Sequence, residues 1–386
     1  MGILKGRERA NFFEAVAVML GTIVGAGVLG IPYAVARVGF GIGLVYLLGL
    51  GIISLLLHVF LGEVIIRTKD TTTQLAGLAG TYLGRPGKMI MSGLFFFGTY
   101  SALLAYVIGE GIVLAALFGG STFVWSMLFL AVGAFFLHRG LKTVKVVELI
   151  MMVGLFLVVF GIAFFSAPSI NLANLTTPPN WVYLLLPYGV ILFAFHGTAA
   201  LPVARTLLAR EPRLFKRAII IASVLSMALY ILFTMVTVGV TGLATTEVAT
   251  VGLGAALGPW VVLCGNVFAF FAMGTSFLAL GTALHETYEW DYNVPPTIAW
   301  LLTVLVPLVI FVSGVRSFVG VISFAGALFI SIEAILIVLM YWRARTTGDG
   351  ARQARGFAFH HAAFASIAVI GVFIAAALYS LSTLFI

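Results

Sequence analysis

The stretch Gly21-Thr22-Ile23-Val24-Gly25-Ala26-Gly27-Val28-Leu29-Gly30-Ile31-Pro32 lies near the middle of an apolar segment that runs from residue 11 to residue 36. Four glycines fall in its first ten residues, and a proline closes it. A single glycine pair in an apolar helix reads first as a close-packing surface. Four glycines followed by Pro32 read as a helix that unwinds. Lipid offers no hydrogen-bond partner to backbone groups, so unwound chain at membrane depth persists only where protein packs it or where it lines a cavity.

Working outward, the rest of the chain shows that this is membrane depth. Of 386 residues, 62% are hydrophobic and 9% charged, against ~25% charged in soluble domains, so a soluble fold is excluded. Apolar stretches predict eleven spans, at about 11–36, 40–66, 89–118, 121–138, 144–166, 183–206, 216–241, 256–284, 294–313, 317–342 and 361–384. Each approaches or exceeds what ~30 Å of hydrocarbon requires at ~1.5 Å per residue. With the N-terminus cytoplasmic, all but Arg37 and Arg316 of the 21 Lys and Arg fall on the inner side, as retention of basic loops demands. An odd number of spans then puts the C-terminus outside. This multi-pass placement in the cell membrane accounts for the net charge of +8 without a nucleic-acid partner.

Smaller features agree. Trp125, Trp181, Trp260, Trp290, Trp300 and Trp342 all lie at or within about two turns of predicted span ends, where interfacial anchors belong. Cys264 is the only cysteine and lies in an apolar stretch, so neither a disulfide framework nor a Cys/His metal spacing exists. Met1 to Ala10 is basic ahead of an apolar segment, like a leader. That segment carries the glycine motif, so it is read as a retained span; Gly6 stands where a myristoylation signal wants Ser or Thr. Residues 67–88 hold Gln74, Leu75, Leu78, Tyr82 and Leu83 at helical spacing, which predicts a short helix on the membrane face. Residues 169–181, with Pro178 and Pro179, read as a loop over an entrance, and 346–356 as a polar linker. No feature of the sequence fixes an oligomeric state.

A second span shares the punctuation of the first. Pro187-Tyr-Gly-Val-Ile-Leu-Phe193-Ala194-Phe195-His196-Gly197-Thr198-Ala-Ala-Leu-Pro202 has His196 and Gly197 at its midpoint and prolines on both sides. Spans 1 and 6 are five apart, and two five-span units cross the membrane in opposite senses. Corresponding interrupted spans in two such halves point to an inverted-repeat transporter with its site at the midplane. The chain then reads as one transmembrane domain: one repeat over about 11–166, a second over about 183–342, and an extra helix at about 361–384. At the breaks, the amides of Gly25, Ala26 and Gly27 would open a half-helix whose dipole favours a carboxylate. Freed carbonyls near Gly21, Thr22, Phe193 and Ala194 would suit an ammonium group. Both poles within a few ångströms fit an α-amino acid.

A charge near the bilayer centre costs ~2.5–3.5 kcal/mol or more, so each acid needs a partner or a role. Glu14, Glu63 and Glu148 lie near the inner face beside Arg or Lys and read as structural pairs. His58 reads as a hydrogen-bonded core histidine. His196 either donates to substrate, carries a proton, or holds the break open. Glu110 in span 3 and Glu333 in span 10 have no sequence neighbour of opposite charge and are the candidates for carrying H+; Glu110 would alternatively pair with Arg37. For Na+, the carbonyls of Gly21 and Val24 facing the hydroxyls of Thr275 and Ser276 would supply ligands, although that hydroxyl pair equally suits helix packing. Phe193, Phe195, Phe270, Phe271 and Tyr106 line the substrate or, as is commoner for aromatics in such spans, face lipid or the core.

Several of these motifs carry a family resemblance. Residues 21–40 of span 1, Phe193-x-Phe195-His196-Gly197 in span 6, residues 100–111 in span 3, Thr275 to Gly281 in span 8, and Leu61-Gly62-Glu63 onward to Tyr82-Leu83-Gly84 resemble the amino acid/auxin permease family, especially its bacterial hydroxy- and aromatic-amino-acid permeases. The resemblance implies an all-α fold of the leucine-transporter type, with two inverted five-helix repeats, broken helices 1 and 6, and an eleventh helix. It also implies proton-driven import of an amino acid. Glu110 and Glu148 depart from the family's pattern, which has a small residue and an amide there. A channel or non-transporting sensor is the alternative, and an enzyme is the poorest reading, because no nucleophile–base pair, metal-ligand cluster or phosphate loop stands out.

Overall fold

The computed structural model describes residues 6–68, 74–139, 145–209, 211–347 and residues 370, 371, 373 and 374. All regular structure among them is helical. The first predicted span is two helices, α1 (Gly6–Ile23) and α2 (Gly27–Val38), bent by 51° at the intervening residues. Gly39, at φ 98°, turns the chain directly into α3 (Phe40–Arg67); a left-handed φ of that kind is open to glycine with little strain.

Helix α4 (Leu75–Phe118) contains both the predicted membrane-face helix and the third span, joined at Gly84, whose φ of 71° breaks the helical run just before Pro86. Then come α5 (Thr122–His138), α6 (Lys145–Ser166), α7 (Leu186–Ala194), α8 (Ala200–Leu207) and α9 (Pro212–Thr241). Helix α10 (Ala249–Leu257) is a short element that the sequence does not announce; α11 (Pro259–Tyr292) runs about two turns beyond its predicted end. Helix α12 (Pro296–Val312) and the tenth span follow, the latter as α13 (Phe318–Phe324), a π-helical segment Ala325–Ile330, and α14 (Ser331–Thr347). Among the described residues, five helices are long and apolar enough to cross a membrane alone, and the bent pair α1–α2 makes a sixth. Helices α5 and α12, and residues 156–169 at the end of α6, are shorter apolar helices at predicted spans. The predicted span at 361–384 falls, apart from four residues, outside the described ones, as does Lys142; the side chain of Glu148 is likewise outside the description.

Packing puts the two interrupted spans at the centre. Helix α1 lies on α6, α8 and α9; α2 lies on α3, α7, α9 and α10; α7 lies on α2, α13 and the π-helical segment. Helices α4 and α11 pair alongside. All of α2 except Tyr33 and Arg37 is buried. The loop after α6 covers this end: Asn180 N–H donates to Val38 O at 3.0 Å, and the backbone at Pro178 lies over Gly39. At the basic end, Arg67 Nη2 meets Glu63 Oε1 at 2.8 Å, with Arg345 Nε of α14 at 3.9 Å. Glu63 is therefore a structural pair, and Phe60 stacked on Tyr341 fastens the same two helices.

Candidate functional site between the two broken helices

The two breaks lie against each other. A Cβ on Gly27 would sit 2.6 Å from the Cα of Ala194, the last residue of α7. A Cβ on Gly197 would overlap the side chain of Ile23, the last residue of α1. Each break thus carries a glycine where the other helix ends; the missing side chain lets backbone meet backbone at Gly27 and lets the Ile23 side chain pack onto Gly197.

Within the first break, Val24 N–H donates to Leu20 O at 2.8 Å and Gly25 N–H to Ile23 O at 3.0 Å. That second bond corrects one expectation, because the Gly25 amide is engaged locally instead of being offered to a ligand. It also leaves the carbonyls of Gly21 and Thr22 without the helical donors that an unbroken span would give them. The N–H groups of Ala26 and Gly27 have no backbone acceptor among the described residues. They open α2, where the dipole adds to them as an anion site. In the second break, Phe195 N–H donates to Ile191 O and His196 N–H to Phe193 O. The N–H groups of Gly197, Thr198 and Ala199 have no backbone acceptor among the described residues. Gly21, Thr22 and Ala199 are exposed, Gly25 is half-buried, and nothing approaches within 4 Å of the Cβ positions of Gly21 and Gly25.

One residue that the sequence does not single out serves both breaks. The Tyr230 hydroxyl of α9 lies 2.7 Å from Ile23 O and 2.8 Å from Ala194 O, and the side chain is fully buried with its ring tilted on Phe195 at 4.9 Å. The expected carbonyl at Ala194 is therefore occupied. Phe195 is buried and faces α3 and α9, while Phe193 is partly buried.

His196 and Glu333, separate candidates in the sequence, form a pair. His196 Nε2 lies 3.2 and 3.1 Å from the two Glu333 oxygens, and Thr198 Oγ1 donates to Glu333 Oε1 at 2.7 Å. The His196 side chain keeps 34% of its surface exposed and the Glu333 side chain 11%, so this polar cluster reaches accessible space beside the breaks. His58 of α3 is a buried core histidine at 3.1 Å from Ser223 Oγ of α9.

Glu110 is fully buried beside Gly274 of α11, and neither carboxylate oxygen has a hydrogen-bond partner among the described residues. The alternative ion pair with Arg37 is not formed, because Arg37 lies over the Tyr33 ring at 4.9 Å. Tyr106, one turn before Glu110, is buried with Ser276 as its polar partner. Thr275 donates to Phe271 O of its own helix at 2.8 Å, and Phe271 is half exposed on the outer surface. Helix α1 packs on α6, α8 and α9, and α11 on α4, α5, α6, α10 and α12, so both helices meet α6.

The chain is similar to known proteins over most of its length. The chain is 28% identical over 357 residues to tyrosine-specific transport system 1 of Haemophilus influenzae, covering 84% of this chain and 86% of that protein. It is 26% identical over 363 residues to tyrosine-specific transport system 2 of the same organism, covering 86% and 88%. The crystal structure of MhsT in complex with L-phenylalanine shares the fold, with a TM-score of 0.66 over 97% of this chain and 98% of that one at 17% identity. Residues 8–380 match the tryptophan/tyrosine permease family, and the chain belongs to that family.

Proposed function

We propose that this chain imports an aromatic amino acid across the cell membrane by alternating access around the two breaks, coupled to protons. The observation that carries this reading is the juxtaposition of open amides at Ala26 and Gly27 with the His196–Glu333–Thr198 cluster on the facing break. The amides and the α2 dipole receive the substrate carboxylate. The freed carbonyls of Gly21 and Thr22 face the ammonium group, and the open space over Gly21 and Gly25 takes the substrate body. Relatives named as tyrosine-specific systems, and a neighbour bound to phenylalanine, support an aromatic side chain.

Proton coupling rests on the same cluster. A carboxylate and an imidazole sharing one hydrogen-bonded contact hold and release a proton at the helix break, and in doing so gain or lose the charge that ties α14 to α8. The outer loop and α10 close one side in this conformation, while the residues with accessible surface lie toward the basic, cytoplasmic side. The chain fits eleven spans in a five-plus-five inverted repeat with the N-terminus inside and the C-terminus outside. Uptake of labelled tyrosine into proteoliposomes, driven in turn by a proton and a sodium gradient, tests the whole reading. Uptake driven by the proton gradient alone is expected. Uptake that follows sodium and ignores the proton gradient would assign Na+ as the coupling ion, and no uptake of any aromatic amino acid would end the transport reading.

A further inference from the structure

The Tyr230 hydroxyl stands between two carbonyls that terminate two different half-helices, at 2.7 Å from Ile23 O and 2.8 Å from Ala194 O. Ile23 ends the half of span 1 on the basic side, and Ala194 ends the half of span 6 on the opposite side. One phenol carries one proton, so it donates to one carbonyl at a time. Two carbonyl oxygens converging on one point at such distances are also what a small monovalent cation would bridge, since hard cations take oxygen ligands. The ring itself is fully buried and held against Phe195, so the hydroxyl cannot swing out to water.

We infer that Tyr230 is a positioning residue whose hydroxyl fills the gap between the two carbonyls that end the half-helices and so sets the spacing of the breaks. The span 1 amides that would take a carboxylate follow Ile23 by three and four residues, and the span 6 amides at Gly197 and Thr198 follow Ala194 by three and four. Fixing the two carbonyls therefore fixes both sets of donors. A protein with a hydroxyl at this point needs no cation there. A variant that lacks only the hydroxyl leaves Ala194 O without a donor among the described residues and Ile23 O with the Gly25 N–H alone, and a buried acceptor that loses its donor is costly.

The test is Tyr230→Phe, with tyrosine binding measured on the purified full chain in sodium chloride and in choline chloride. The binding readout rests on the transport proposal above; a second readout, thermal unfolding in the two salts without substrate, does not. Wild type is expected to bind and melt alike in both salts. Tyr230→Phe should bind about tenfold more weakly in choline, recover in sodium, and melt higher in sodium than in choline. Phe195→Leu loosens the ring and keeps the hydroxyl, so it should lose stability equally in both salts. Wild-type affinity for Tyr230→Phe in choline, a loss that sodium does not repair, or a sodium response equally large in Phe195→Leu would each overturn the assignment. If wild type binds no aromatic amino acid, the transport proposal fails, and the melting comparison alone decides the role of Tyr230.

Discussion

Gly27→Ala adds one methyl group where the two broken helices touch. Its Cβ would lie 2.6 Å from Ala194 Cα and 2.8 Å from Ala194 Cβ, with ordinary contact beginning at 3.4 Å. The shortfall of about 0.8 Å cannot be relieved by a rotamer, because the neighbour is backbone, and overpacking of this kind costs ~1–3 kcal/mol. The cheapest relief is to lift α2 off α7, which moves the Ala26 and Gly27 amides away from the second break. Tyrosine affinity should therefore fall about tenfold, while thermal unfolding shows that the protein still folds. Gly25→Ala is the internal control for sterics, since nothing lies within 4 Å of its Cβ position. It should melt like wild type. Wild-type affinity for Gly27→Ala, measured by scintillation proximity on purified protein, would refute the claim that contact between the breaks shapes the site.

Three further outcomes follow from buried charge. Glu333→Gln removes the charge that accepts from Thr198 and meets His196, bonds worth ~1.5–3 kcal/mol each when charge-assisted; proton-driven uptake should be lost while tyrosine exchange across the liposome persists. Arg67→Leu leaves Glu63, 1% exposed, with Arg345 at 3.9 Å as its one remaining cation among the described residues. Breaking such a pair costs ~3–5 kcal/mol, so little folded protein should appear by size-exclusion chromatography, and Glu63→Leu in the same chain should restore it. Glu110→Gln loses no hydrogen bond to a described residue and should keep proton-driven uptake; its loss in a folded variant would move the coupling role from Glu333 to Glu110.

The sequence carried the breaks because their cause is local: glycines and a proline too dense for a lipid-exposed helix. Gly21 to Pro32 and Pro187 to Pro202 announce themselves, and the structure unwinds the chain within both. Partnerships between distant spans have no such local mark. Glu333 and His196 are 137 residues apart, and no period or spacing links them, so they read as separate candidates. Tyr230 looks like one more aromatic in an apolar span; only its mid-span hydroxyl hints at a partner, because a buried hydroxyl must find one. Gly25 and Gly27 looked equivalent, and only the crossing of α2 with α7 separates an open position from a closed one.

The tenth span shows how its acid comes to face the break. Gly189 of α7 and Gly326 of the π-helical segment lie at backbone contact, each lacking the side chain that would hold the helices apart. The widened turn over Ala325–Ile330 falls at that contact, and Glu333 follows it in the first turn of α14. Widened turns of this type tend to occur at functional positions, because they rotate the residues that follow out of the ordinary helical register. Tyr188 Oη to Ser331 Oγ, at 2.8 Å, pins the same junction from the α7 side. The half of span 6 before its break is thus clamped to the tenth span by glycine contact and a hydroxyl pair. The half after the break is held there through His196, Thr198 and the charge on Glu333. One attachment is fixed by shape and the other by polar contacts to Glu333, so under the proposed proton coupling a proton at Glu333 would free one half of the span while the other stays in place.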